Sequence, residues 1–175
     1  SGKKRKLISL GRCAHECATI KVLEDHRIVV YTGDDIDNGC LYKFISHSPG
    51  NLTNGKLYVA SLEQKKWIEV SFSKHKTLKK KFSNQLEVLT YLRESSKLIN
   101  GSKLDRPEDI EIDPVNNNVI IALTNNYMKQ NLHGSILKII EKDNKHDSLE
   151  FDYETLITGG ESTGFSCPDN LLFDK

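Results

Sequence analysis

Three carboxylates, Glu16, Glu108 and Asp169, begin three copies of one short pattern. The segment from Glu16 to Asp34 lies on the segment from Glu108 to Asn126 without a gap. Ile20 then falls on Ile112, Ile28 on Ile120, Val29 on Ile121 and Thr32 on Thr124. A third copy opens at Pro168-Asp169-Asn170. If the repeats surround a common axis, the three acids converge on it. Carboxylates that converge repel one another unless positive charge lies between them. Their hard oxygen atoms suit Ca²⁺, Mg²⁺, Mn²⁺ or Fe³⁺. Asp34, Asn125 and Asn126 follow the second strand of their copies and supply further oxygen atoms if those loops turn inward. The plainer reading of each position is a solvated acid at a strand start, or Asp/Asn turn chemistry.

The repeat predicts the elements that must carry these residues. Each copy reads acid, strand, polar turn, strand, Thr, polar pair. Thr19 to Val22 and Arg27 to Tyr31 form one hairpin, and Asp109 to Ile112 and Val119 to Leu123 the next. Leu41 to Ile45, Lys56 to Leu62, Trp67 to Phe72, Gly134 to Ile140 and Leu149 to Ile157 are further strands. Leu86, Leu89, Leu92 and Ile99 keep near-helical spacing, which predicts one helical insertion over Gln85 to Ile99, closed by Asn100-Gly101. The basic run Lys74 to Lys81 reads as a solvated loop. The fold class is therefore mainly β: a single partial β-propeller domain over residues 1–175, with antiparallel blades, roughly three of them visible.

Bulk properties narrow the classes. The 175 residues are 37% hydrophobic and 28% charged, which is globular. With 25 basic and 24 acidic residues the net charge is +1, so nothing argues for nucleic acid as partner. No apolar run reaches the roughly 20 residues that span a bilayer, so no membrane is expected. The basic start, Ser1 to Lys6, has no apolar stretch after it that would make a signal peptide. Cys13, Cys17, Cys40 and Cys167 lack the spacing of a zinc site and read as small buried residues or free thiols.

Six segments occur in order: Gly11-Arg-Cys-Ala-His-Glu16, Val30-Tyr-Thr-Gly-Asp-Asp35, Leu41-Tyr-Lys-Phe44, Asp105-Arg-Pro-Glu108, Ala122-Leu-Thr-Asn-Asn126 and Phe165-Ser-Cys-Pro-Asp-Asn170. From about Leu10 onward the chain resembles the PhoX family of secreted alkaline phosphatases. The resemblance implies hydrolysis of small phosphate monoesters at a calcium and iron cluster at one end of a propeller channel. It implies Glu16, Glu108 and Asp169 as cluster ligands, with Asp34, Asn125 and Asn126 as weaker candidates. It also implies Arg106 as the catalytic group that grips the substrate phosphate, since a planar guanidinium bonds two phosphate oxygens at once. A structural salt bridge is the competing role for Arg106. His15 would support the ligand beside it. The protein would be periplasmic or secreted.

The chain is much shorter than the family's catalytic unit, and the upstream cysteine-bearing iron motif has no counterpart here. The remainder of the propeller is thus expected to complete the site, and this stretch alone to be inactive. Two other readings stay open: a calcium-dependent lactonase-type propeller, and a propeller that serves only as a binding scaffold.

Overall fold

A computed structural model describes residues 4–174. Part of the basic start and the final Lys175 thus lie outside the described residues. Among the described residues there are eleven strands, β1 Thr19–Val22, β2 Ile28–Gly33, β3 Asp37–Gly39, β4 Leu41–Ser46, β5 Gly55–Ser61, β6 Lys66–Glu69, β7 Leu104–Asp105, β8 Pro107–Ile112, β9 Val119–Leu123, β10 Ser135–Glu141 and β11 Phe151–Thr158. They make two antiparallel sheets, ordered β1-β2-β4-β5-β6 and β8-β9-β10-β11. A small ribbon pairs β3 with β7 and ties the two together. The protein is mainly β, with the antiparallel sheets of a partial propeller.

Strand alternation builds two cores from the first sheet. Val29, Tyr31, Leu41, Ile45 and Tyr58 face the second sheet and pack on Ile110, Ile121, Leu123, Leu137 and Ile139. Val30, Tyr42, Phe44, Leu57 and Val59 face the other way and are covered by helices. Pairing sets this register: Val30 opposes Phe44, which opposes Leu57. A slip of one residue would exchange the two faces.

The helical region departs from expectation in two ways. The basic run is no loop: Lys76–Lys81 is a short helix, α1. Leu78 alone anchors it, fully buried, while most of the lysines face out. The single helix expected over Gln85 to Ile99 is broken into α2, Gln85–Thr90, and α3, Leu92–Leu98. The break falls at Tyr91 (φ −101°, ψ 46°). Two carbonyls at the break find other donors: Ser95 Oγ bonds Val88 O at 2.9 Å, and the backbone N–H of Arg12 bonds Leu89 O at 2.9 Å. The segment leading to Glu16 is thereby plugged into the broken helix. Gly11 (φ +75°) sits so close to Leu92 that a Cβ there would lie 2.6 Å from its side chain.

The third copy forms no strand. From Pro168 to Phe173 the chain lies outside every strand. Leu171 and Phe173 lie instead on Ile120, Ala122 and Ile136 of the second sheet. The N–H of Leu171 bonds Asp109 Oδ2 at 2.7 Å rather than a neighbouring strand. All four cysteines are free thiols, with Cys40 buried and Cys167 exposed. No helix among the described residues is long and apolar enough to cross a membrane.

Candidate active site

The end of β2 runs directly against the start of β8. A Cβ on Gly33 would lie 2.0 Å from the Pro107 carbonyl, so only glycine lets the two backbones meet there. This approach sets Asp34 and Asp35 beside the Arg106-Pro107-Glu108 corner. Arg106 itself has φ +53°, a left-handed conformation that costs a non-glycine residue energy. Its O accepts from Thr124 N at 3.2 Å, which fixes the corner to the end of β9.

The Arg106 guanidinium lies between two carboxylates. Nε donates to Asp35 Oδ1 at 2.8 Å and Nη2 to Asp35 Oδ2 at 3.0 Å. Nη2 also reaches Glu108 Oε1 at 2.7 Å. Glu108 is only 5% exposed. Burial pushes its carboxyl up to about 7, and a hydrogen bond with Asp169 and the charge of Asp35 add to the rise. The charge of Arg106 opposes it. Glu108 and Asp169, equivalent residues of two copies, thus meet. Two carboxylates that meet gain from any cation placed between them.

The other expected residues are placed differently. Asp34 is fully buried, and both of its oxygens are engaged: Arg93 Nε and Nη2 donate to them at 2.7 Å each, and Ala14 N donates to Oδ1 at 2.9 Å. Asn126, its repeat equivalent, is also fully buried. It donates to Asp105 Oδ1 at 2.8 Å and accepts from Lys129 N at 3.1 Å, closing a short 3₁₀ turn over Tyr127–Lys129. Asn125 donates to Cys167 Sγ at 3.7 Å, while its buried Oδ1 has no donor among the described residues. Glu16 is exposed. His15, next to it, contacts Thr32 Oγ1 at 2.9 Å through Nδ1 and Gly11 O at 3.2 Å through Nε2.

Arg106, Glu108 and Asp169 therefore come together, and Asp35 joins them. Repeat comparison misses Asp35 because the aligned copies end at Asp34 and Asn126. The signal that could have found it is the second acid of Gly33-Asp34-Asp35, one residue further from the close approach of Gly33. Among the described residues no group of three or more His, Cys, Asp or Glu side chains stands close enough to hold a metal ion. The Glu108–Asp169 pair and the donorless Asn125 oxygen are nevertheless the kind of hard oxygen atoms that calcium or iron takes.

The site is thus an arginine among paired acids where the strands of the two sheets meet. The chain belongs to the alkaline phosphatase PhoX family, whose pattern matches residues 1–175. Among solved structures it is similar to Pseudomonas fluorescens PhoX in complex with vanadate, a transition state analogue, at TM-score 0.87 and 28% identity. That match covers 97% of this chain and 38% of the other, so the chain spans well under half of that protein. No curated protein matches the chain.

Proposed function

We propose that this chain carries part of a site that hydrolyses small phosphate monoesters with calcium and iron. The observation that carries the reading is the Arg106 corner: a guanidinium held between Asp35 and Glu108, with Asp169 beside Glu108. Arg106 binds the phosphate. Its fork is oriented by Asp35, and the bond to Glu108 is the one that a phosphate oxygen replaces. Glu108, Asp169 and Glu16 are the carboxylates offered to the cations, with Asn125 Oδ1 as a neutral oxygen. Calcium and iron, when bound, supply positive charge against the phosphoryl oxygens as the ester bond breaks. Asp34 and Asn126 hold the frame, Asp34 through Arg93 and Asn126 through Asp105 and Lys129. The remaining ligands come from outside this chain, so the chain alone is inactive. The protein works in the periplasm or outside the cell, and its substrates are small phosphate esters. The vanadate bound by the similar Pseudomonas fluorescens protein supports this reading.

The test is metal content together with p-nitrophenyl phosphate hydrolysis, on the full-length protein and on this chain in parallel. Iron and calcium in the full-length protein, with activity lost on chelation, are expected. Arg106→Ala should keep the metals and lower kcat/KM by about 10²–10³-fold, the usual loss for a transition-state charge contact. Arg106→Lys should recover little, because an ammonium cannot bond two oxygens in a fixed plane. Glu108→Ala should lose metal first. A full-length protein with no iron and no hydrolysis would overturn the phosphatase reading and leave the lactonase or the scaffold.

A further inference from the structure

Two threonines at the same place in the repeat, Thr32 and Thr124, make the same kind of bond outside the sheets. Thr32 Oγ1 donates to Cys17 O at 2.7 Å, and Thr124 Oγ1 donates to Pro168 O at 2.8 Å. Neither carbonyl belongs to a strand, so no ladder holds it. Each lies immediately next to an acid of the repeat: Cys17 follows Glu16, and Pro168 precedes Asp169. Both hydroxyls are buried with their threonines.

The tethers continue on the far side of each acid. His15, which precedes Glu16, places its Nδ1 2.9 Å from the same Thr32 oxygen. A hydroxyl has one proton and two lone pairs, so Thr32 can donate to Cys17 O and accept from His15 together. Both neighbours of Glu16 are thus tied to one oxygen atom. After Asp169 the N–H of Leu171 is held by Asp109 Oδ2 at 2.7 Å. Asp109 adjoins Glu108, so the Asp169 segment is held from both sides by residues of the second copy. The Glu16 and Asp169 side chains are exposed on these tethered stretches. A strand side chain that only needed to satisfy its hydroxyl would more simply bond its own preceding turn or water. Two equivalent threonines each reaching the backbone beside an acid amount to a device used twice.

We infer that Thr32 and Thr124 are positioning residues of the site, fixing the backbone on which Glu16 and Asp169 present their carboxylates to a cation. The inference rests on the phosphatase reading. Without the hydroxyl, the carboxylate must be ordered at the moment of binding, and affinity falls by that ordering cost.

Calcium alone is the probe. The full-length protein is stripped with chelator and titrated with calcium by calorimetry, and its melting is followed in chelator. Thr124→Val and Thr32→Val keep the shape and remove the hydroxyl. Each should weaken calcium binding about 10–100-fold, the usual effect of losing a group that orients a metal ligand. Thr124→Ser and Thr32→Ser should return to within about threefold of the parent, since the hydroxyl bond is kept and only a methyl is lost. Valine variants that bind calcium like the parent, even if they melt lower, would overturn the inference and mark the bonds as purely structural. Serine variants as weak as the valine ones would overturn it too. A parent protein that binds no calcium would instead remove the phosphatase reading itself, before any variant is compared.

Discussion

At Asp34 and Asp35 two adjacent acids with the same chemistry take opposite roles. The side chain of Asp34 is turned into the protein, against Arg93 and the Ala14 N–H, while Asp35 turns toward Arg106. The difference follows from Gly33: once its backbone lies on Pro107, successive residues point to opposite sides of that contact. Asp34 is buried with its charge matched by Arg93, whose own side chain is 45% exposed. Arg93→Ala therefore leaves a buried carboxylate holding one backbone N–H, a loss of about 2–3 kcal/mol, below the range for a fully buried pair because Arg93 is half in water. Urea unfolding should show the lower midpoint, with the slope unchanged. Arg93→Ala with Asp34→Asn should recover part of the loss; if the double variant is no better than the single one, Asp34 is not charged where it lies. The repeat marks both acids as special but carries no information on which way each points, because that depends on a contact between residues 33 and 107.

At the scale of elements, periodicity finds nearly every strand. It misses β3 and β7, whose three and two residues are too short to show any period, and which exist only as partners of each other. It also misreads the insertion. Leu86, Leu89 and Leu92 suggest one continuous apolar stripe, yet Leu86 is 57% exposed while Val88 and Leu92 are buried. The stripe is real but belongs to two helices that meet at Tyr91. What breaks them is a segment about eighty residues earlier, since Arg12 and Gly11 occupy the gap. Leu92 is the pivot of this arrangement: it closes the core over Tyr42, Phe44 and Leu57 and packs against Gly11. Leu92→Ala should cost about 3 kcal/mol, typical of a buried leucine whose surroundings cannot collapse. The expected consequence beyond stability is faster amide hydrogen exchange from residue 11 to residue 16, because their anchor is gone. Exchange unchanged there would mean that the leader is held by the sheet alone.

Across the whole molecule, the joint between the two sheets is not purely apolar. Lys43 and Glu141 pair at 2.9 Å with both side chains out of water. Tyr31 and Trp67 also donate to Glu141, and Lys43 lies over the Trp67 ring at 4.5 Å. Nothing in the sequence joins this group, since its members lie far apart along the chain. His146 completes it. Its Nδ1 lies 2.8 Å from the Tyr31 hydroxyl, and because that hydroxyl donates to Glu141, Nδ1 carries the proton. Nε2 is buried with no partner among the described residues. Protonating it would place a charge in the dry joint, beside that of Lys43. Burial pushes His146 down from the usual 6.5 to about 4; the charges of Lys21 and Lys43 push the same way, and the nearby Asn117 backbone and the charge of Asp147 only partly oppose them. The unfolded chain therefore binds a proton between pH 6.5 and 4 that the folded chain refuses, so stability rises with pH across that window and is lost as pH falls through it. The loss from this one residue is at most about 3 kcal/mol, since each tenfold weakening of proton affinity is worth roughly 1.4 kcal/mol. Urea midpoints taken from pH 7.5 to pH 4 should fall more steeply for the parent than for His146→Gln, which can still donate to Tyr31 but cannot be charged. Equal slopes would mean that acid opens the joint elsewhere, most directly by protonating Glu141 and freeing Lys43.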